Sequence, residues 1–220
     1  MFRFLSDLKK NNDRDWFLEN KERYHKHVVT PMIEFMLALQ PKIARISPYI
    51  LVKPRAHNGS LFRIYRDTRF SKDKTPYKEH VACHFRHEAG RDAHAPGFYV
   101  QFAPGEVLFG GGIWRPDSAA LATLRHSIVD NANTWGNIKK RKAFRTLTNG
   151  IEGDSLVRVP RGYPVDHPHS EDLKRKSFFA MHKSTVQVAK SPALISEVDK
   201  VFRAISPLLE FIAFSLDLRY

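Results

Sequence analysis

The sequence predicts an α+β fold, a single domain in which a small antiparallel sheet is flanked by helices. Three observations support this class. Apolar residues recur at helical spacing in residues 1–50 and 117–218, whereas they alternate with a period of two within residues 60–114. No repeat of about 20 to 50 residues is present. No low-complexity linker divides the 220 residues, so we expect one domain over 1–220.

The N-terminal part of the chain is predicted to be helical. Apolar residues within 16–28 fall near helical spacing, and Asn11 or Asn12 could cap the first turn. Pro31 suits the first turn of a second helix, whose apolar stripe ends at Pro48. We therefore expect this part to be scaffold.

The stretch before the predicted sheet fits two kinds of element. Ser60 could cap a short helix because the apolar residues between 61 and 65 share one side of such a helix. The same stretch also fits a strand, and we favour the helix. Residues 70–76 are small or charged and end in a proline, so they are predicted to form a loop.

Three predicted strands form the sheet. Apolar side chains alternate with polar or small ones over residues 81–85, again over 98–102, and then over 107–113. Pro104 and Gly105 suit the tight turn of a hairpin that joins the last two strands. An antiparallel sheet is therefore expected.

The remaining residues are predicted to be mainly helical, and two helices come first. Asp117 can cap a helix that carries apolar residues within 121–129. A further helix is predicted over residues 135–147, because apolar residues recur there at helical spacing. Gly150 and Gly153 would end it.

A proline-rich loop and the last helices complete the chain. Residues 154–169 contain three prolines and are predicted to form an ordered loop or an edge strand over the surface. Ser170 opens a short helix, and Ser191 with Pro192 begins a longer one. Pro207 is predicted to separate this longer helix from a last apolar turn.

The composition narrows the classes of protein and of partner. Thirty-six Lys and Arg against 23 Asp and Glu leave a net charge of +13, which attracts nucleic acid, phosphorylated metabolites or acidic membranes. One cysteine, Cys83, excludes an intrachain disulfide framework, and its place in a strand pattern predicts a buried, inert thiol.

No run approaches the roughly 18 apolar residues of a membrane span. The N-terminus does not resemble a signal peptide. We expect a cytoplasmic protein without a membrane partner.

The segment from Leu61 to Lys78 concentrates the groups that could carry chemistry. Six cations against two acids leave a net charge of +4, and aromatic residues between them would anchor the segment to the core. Guanidinium groups match phosphate or carboxylate, whereas lysine acts as a compact charge. The candidate ligand-binding residues are Arg63, Arg66, Arg69, Lys72, Asp73, Lys74 and Tyr77. Asp67 is the candidate catalytic residue, either as a general base or as a group that orients an arginine.

The same segment resembles the signature of a widespread family of uncharacterised bacterial and fungal proteins, a conserved domain of unknown function. The matching residues are Arg63-x-x-Arg66-Asp67-x-Arg69-Phe70, Asp73-Lys74 and Tyr77. Other stretches that resemble the family are Phe4-Leu5 with Leu8, Asn11-Asn12, Arg14, Trp16-Phe17, Gly110-Gly111-Gly112, Val159-Pro160-Arg161-Gly162 and His167-Pro168. The resemblance covers nearly the whole chain and implies no activity.

Two other features are weaker candidates. Gly110, Gly111 and Gly112 could form an anion-binding nest, but a bulged strand or a tightly packed corner is favoured, and Arg161 is a candidate accessory residue. We predict no metal site, because the 11 histidines include no HExxH pattern.

Three functions remain open from the sequence. The leading hypothesis is a domain that recognises phosphate or carboxylate on a small anionic or phosphorylated partner, with or without catalysis. The first alternative is nucleic-acid binding by the same segment together with the basic cluster Lys139–Arg145. The second is a purely structural role, in which Asp67 and Asp73 form ion pairs that organise the loop. The sequence specifies no cofactor, reaction or oligomeric state.

Overall fold

The structure is a computed structural model in which residues 1–90 and 94–220 are described. Its helices are α1 Phe2–Lys10, α2 Arg14–Glu19, α3 Lys21–Tyr24, α4 Thr30–Ile46, α5 Ser118–Asp130, α6 Ala132–Lys140, α7 Lys142–Leu147, α8 Ser170–Leu173, α9 Val186–Ala189 and α10 Leu194–Ser215. A π-helical turn, His25–Val29, joins α3 to α4. Its strands are β1 Ile50–Leu51, β2 Val81–His87, β3 Gly97–Ala103, β4 Glu106–Ile113 and β5 Phe178–Ser184. The predicted α+β class is confirmed.

The five strands form one antiparallel sheet in the order β1-β2-β3-β4-β5. The predicted hairpin between β3 and β4 is present, and Gly105 makes its turn with a φ of 85°. β5 was not expected. Its first four residues are all apolar and its last three are polar, so the residues show no alternation of apolar and polar types.

One face of the sheet packs against α10, and this interface forms the centre of the core. Phe202 of α10 stacks on Phe98 of β3 with ring centroids 4.2 Å apart. The prediction that Pro207 ends this helix was wrong, since α10 continues through it to Ser215. An interior proline costs about 3 kcal/mol. The full burial of Leu208 and its neighbours along α10 offsets that cost.

The predicted N-terminal helix is divided into shorter pieces. The side chain of Asp13, and not an asparagine, caps α2 by accepting a hydrogen bond from the backbone N–H of Trp16 at 2.8 Å. Asn20 ends α2, and the π-helical turn then leads into α4. The side chain of Asn12 instead holds the backbone of Tyr77, donating to its carbonyl and accepting from its N–H, both at 3.0 Å.

The short helix favoured over residues 61–65 was wrong, because this stretch is extended and lies against the sheet. The backbone N–H of Phe62 donates to the carbonyl of Ala82 at 2.9 Å, and Leu61 bridges Cys83. The hydroxyl of Ser60 accepts from the N–H of Lys53 at 2.9 Å and caps no helix. Pairing with β2 therefore decides the conformation.

The C-terminal predictions are partly confirmed. The side chain of Asp117 caps α5, with a distance of 2.8 Å to the N–H of Ala120. The helix expected over residues 135–147 is two helices, because the backbone of Arg141 leaves the helical conformation between α6 and α7. Within the described ranges, none of the helices has the length and apolar character needed to cross a bilayer.

Candidate functional site

The basic segment 61–78 folds back on itself beside the sheet. The N–H of Arg66 donates to the carbonyl of Pro76 at 2.9 Å, and the N–H of Lys78 donates to the carbonyl of Ile64 at 2.8 Å. Tyr77 is buried and stacks on Phe17 of α2, with ring centroids 4.1 Å apart. The segment is therefore a loop with an anchored base, and its predicted loop at 70–76 is confirmed.

Arg66 and Asp73 form the first ion pair of this loop. Arg66 Nη1 lies 2.5 Å from Asp73 Oδ2 and also contacts the hydroxyl of Thr75. The Arg66 guanidinium, together with the N–H and hydroxyl of Thr75, lowers the pKa of the Asp73 carboxyl to about 2. Asp73 is therefore ionised at neutral pH and shapes the loop.

Asp67 and Arg69 form the second ion pair. Two nitrogens of the Arg69 guanidinium donate to the Asp67 carboxylate, Nε to Oδ1 at 2.9 Å and Nη2 to Oδ2 at 2.7 Å. This bidentate contact is the main reason that the pKa of Asp67 falls to about 2. The contact engages both carboxylate oxygens, which is the arrangement expected of a group that orients Arg69, and the catalytic role of Asp67 stays a prediction.

The remaining predicted residues of the loop point to different places. Lys74 donates to the carbonyl of Thr68 at 2.8 Å, and Lys72 is exposed. The ring of Tyr77 belongs to the core, where burial raises the pKa of its hydroxyl. The loop residues Arg66, Asp67, Arg69, Lys72, Asp73, Lys74 and Tyr77 line neither of the two cavities described next. Their joint action on one ligand stays a prediction.

Arg63 faces a concavity, which we call the polar hollow. It has a volume of about 310 Å³ and lies between the turn before Leu61 and strand β2. Its polar lining residues are His57, Asn58, Ser60, Arg63, His84 and Arg86.

A second concavity, which we call the aromatic cavity, lies on the face of the sheet opposite α10. Its volume is about 470 Å³. Its lining residues are Phe62, Lys78, His80, Ala82, His84, Gly97, Tyr99, Leu108, Gly111, Gly112, Trp114, Phe179 and Met181. Phe62 and His84 line both concavities, so the two adjoin. Together they form an apolar chamber beside a polar one.

Lys78 lies where the two concavities meet. Its ammonium donates to the backbone carbonyl of Arg63 at 3.0 Å and lies 5.4 Å from the ring centroid of Phe62. Burial, and then the charge of Arg63, lower the pKa of this lysine. No described carboxylate pairs with Arg63 or with Lys78. The two cations lie close together, Lys78 half-buried and Arg63 exposed, and the charge of Arg63 also acts on the Asp67 carboxylate.

Two histidines add polar groups to the aromatic cavity. Burial lowers the pKa of His80, and the charge of Lys78 lowers it further. The ring of His84 lies nearly parallel to Phe62, with centroids 6.3 Å apart. Within residues 1–90 and 94–220, no three His, Cys, Asp or Glu side chains are placed to hold a metal ion. The thiol of Cys83 is buried, as predicted, and burial raises its pKa.

The three glycines at 110–112 lie within strand β4, where they are tightly packed. Gly110 pairs with Tyr99 on one side and Met181 on the other, so the strand continues through it without a bulge. A Cβ on Gly112, whose φ is 143°, would lie 2.2 Å from the carbonyl oxygen of Phe178. The tightly packed alternative fits this geometry, since strand pairing occupies the backbone that a nest would use. Arg161 is exposed and lines neither cavity.

Sequence reasoning missed the cavity residues Tyr99, Leu108, Trp114, Phe179 and Met181. The alternation of β3 and β4 could have placed Tyr99 and Leu108 on the outer face. No local pattern indicated that the basic segment would cover this face and enclose a space there.

Comparison with known proteins identifies the family. The model of the family described as "Conserved hypothetical protein (DUF2461)" matches residues 1–211. Neither the curated proteins nor the solved structures contain a match to the chain. The family match spans the basic segment, both concavities and the sheet beneath them, and it confirms the resemblance noted from the sequence. The chain therefore belongs to the DUF2461 family of conserved hypothetical proteins.

Proposed function

We propose that this protein binds a small organic anion at the junction of the polar hollow and the aromatic cavity. Arg63 and Lys78 hold the carboxylate or phosphate of the ligand, and its apolar part lies in the aromatic cavity against Phe62 and Tyr99. This places anion recognition at the two ends of the basic segment.

The observation that supports the proposal is the closeness of two cations, Arg63 and Lys78, at this junction. Lys78 is partly buried, and its lowered pKa reflects both that burial and the repulsion from Arg63. An anion between the two side chains relieves this cost, and hydrogen bonds between ionised groups are about twice as strong as neutral ones. The volume of about 470 Å³ falls within the range of small-molecule sites, which are mostly apolar with a few polar groups.

The ion-paired residues of the loop support the site indirectly in this proposal. The pairs Arg66–Asp73 and Asp67–Arg69 shape the turn whose base places Lys78 next to Arg63. Their role is positional, which combines the structural alternative with the anion-binding hypothesis.

The experiment uses 8-anilinonaphthalene-1-sulfonate, an aromatic anion that fluoresces in apolar surroundings, as the probe. Benzoate, phenyl phosphate and the neutral benzyl alcohol compete for it. We expect the two anions to displace the probe at concentrations where benzyl alcohol does not. Arg63→Ala and Lys78→Met each remove a charged contact, worth about 1.5–3 kcal/mol, so affinity should fall roughly 10- to 100-fold.

Lys72→Ala is the matched control, because Lys72 is an exposed cation of the same segment that lines neither cavity. Circular dichroism establishes that each variant remains folded. Two results would show that the junction is not the anion site. One is that Arg63→Ala and Lys78→Met bind the probe as tightly as the Lys72→Ala control and the parent protein do. The other is that Lys72→Ala loses as much affinity as the two junction variants.

A further inference from the structure

A third concavity, which we call the basic groove, lies between α7 and α10. It has a volume of about 690 Å³ and shares no lining residue with the polar hollow or the aromatic cavity. Its lining residues are Arg141, Lys142, Ala143, Thr146, Leu147, Ser196, Asp199, Lys200, Arg203 and Ala204.

Cations from both helices line the groove. Arg141 and Lys142 stand at the start of α7, and Lys200 and Arg203 lie three residues apart on α10, which places them on one side of that helix. The one acidic lining residue, Asp199, already contacts Arg203 at 3.2 Å and Lys42 at 3.7 Å. Lys200 contacts Glu197 at 4.0 Å, so both lining cations of α10 have carboxylate partners, and the positive excess of the groove lies at the start of α7.

The positive charge continues beyond the groove along its α7 side. Lys140 and Arg145 are exposed, as are Arg141 and Lys142. Within the described part of the chain, none of these four cations forms an ion pair with a carboxylate. A row of several unpaired cations is longer than one phosphate group requires, and its mutual repulsion favours a ligand that carries charge along its length.

We propose that the basic groove binds the phosphate backbone of nucleic acid. Lysine and arginine bind phosphates by displacing condensed counterions, and such contacts do not depend on base sequence. The groove is also lined by small and aliphatic residues, among them Ala143, Leu147 and Ala204. No described lining residue is aromatic, so the groove offers no platform for base stacking and recognition is of the backbone.

The test is fluorescence anisotropy with a labelled DNA duplex of mixed sequence, titrated across a range of salt concentrations. Each phosphate contact contributes about −0.9 to the slope of log affinity against log salt for duplex DNA. The double variant Arg141→Ala/Lys142→Ala should therefore lower the magnitude of the slope by up to about 1.8 and weaken binding at every salt concentration.

The control is Lys10→Ala/Lys26→Ala, which removes two exposed cations that do not line the groove and that pair with no carboxylate of residues 1–90 or 94–220. Its slope should stay close to that of the parent protein. Tripolyphosphate, titrated in parallel, distinguishes a small phosphate ligand from a polymer.

Three outcomes would overturn the proposal. The first is the absence of any anisotropy change with the duplex at about 50 mM salt. The second is a loss of slope in the control variant that equals the loss in the groove variant. The third is tight binding of tripolyphosphate without binding of the duplex. The variant Arg63→Ala tests the two proposals separately. It should weaken binding of the aromatic anion, and it should not change the effect that the groove variant has on duplex binding.

Discussion

Replacing Asp172 should cause a large loss of stability, because this carboxylate is the centre of a buried network. It is 4% exposed and accepts from three side chains. Trp135 Nε1 lies 2.8 Å and Lys139 Nζ 2.5 Å from Oδ2, and Arg175 Nε lies 3.2 Å from Oδ1. The network joins α6 to α8 and to the loop that enters β5.

Asp172→Ala leaves a buried indole N–H and a half-buried ammonium without their acceptor. Removing one partner of a buried ion pair costs about 3–5 kcal/mol. For a chain of this size, each kcal/mol lowers Tm by about 2–4 °C, so a fall of about 6–20 °C is expected. The free energy of unfolding is measured by urea denaturation followed by far-UV circular dichroism.

Glu171→Ala is the matched control for this change. The carboxylate of Glu171 is adjacent in sequence and lies 2.5 Å from Lys174, but its side chain is 79% exposed. Exposed pairs contribute about 0–1 kcal/mol. A loss below about 1 kcal/mol in Asp172→Ala, equal to that of the control, would refute the view that the buried network stabilises the fold.

The same network predicts a pH dependence with a definite sign. Burial alone would raise the pKa of Asp172, but the hydrogen bonds from Lys139 and Trp135 outweigh it and lower the pKa below its ordinary value of 3.8. A lowered carboxyl pKa contributes stability at pH values above about 4, which is lost as pH falls further. The difference between the parent and Asp172→Ala should therefore be largest near neutral pH and shrink in acid.

Two further predictions concern the sheet and the loop. Gly112→Ala should lower the urea midpoint more than Gly105→Ala does, because a Cβ at 112 meets the Phe178 carbonyl oxygen whereas one at 105 meets no atom within 4 Å. Arg66→Ala should return the pKa of Asp73 from about 2 toward its ordinary 3.8, as followed by NMR titration of the carboxyl carbon. An unchanged titration would show that Thr75 alone stabilises the carboxylate.

Local patterns were sufficient for part of this fold. The alternation in β2, β3 and β4 and the cap at Asp117 depend on neighbouring residues, and they were predicted correctly. Elements that depend on distant partners were missed. The first four residues of β5 are apolar on both faces because Phe179 and Met181 line a cavity, and α10 passes Pro207 because Leu208 and Leu209 are fully buried.

The candidate site divides in the same way. The sequence alone determined that cations, acids and aromatic residues are concentrated between Leu61 and Lys78, because composition is local. Only the tertiary structure decided which of them pair, since extended backbone turns successive side chains to opposite sides and folding decides which group each side chain meets. Asp73 and Asp67 engage Arg66 and Arg69, whereas pairing with β2 leaves the two ends of the segment facing the enclosed space.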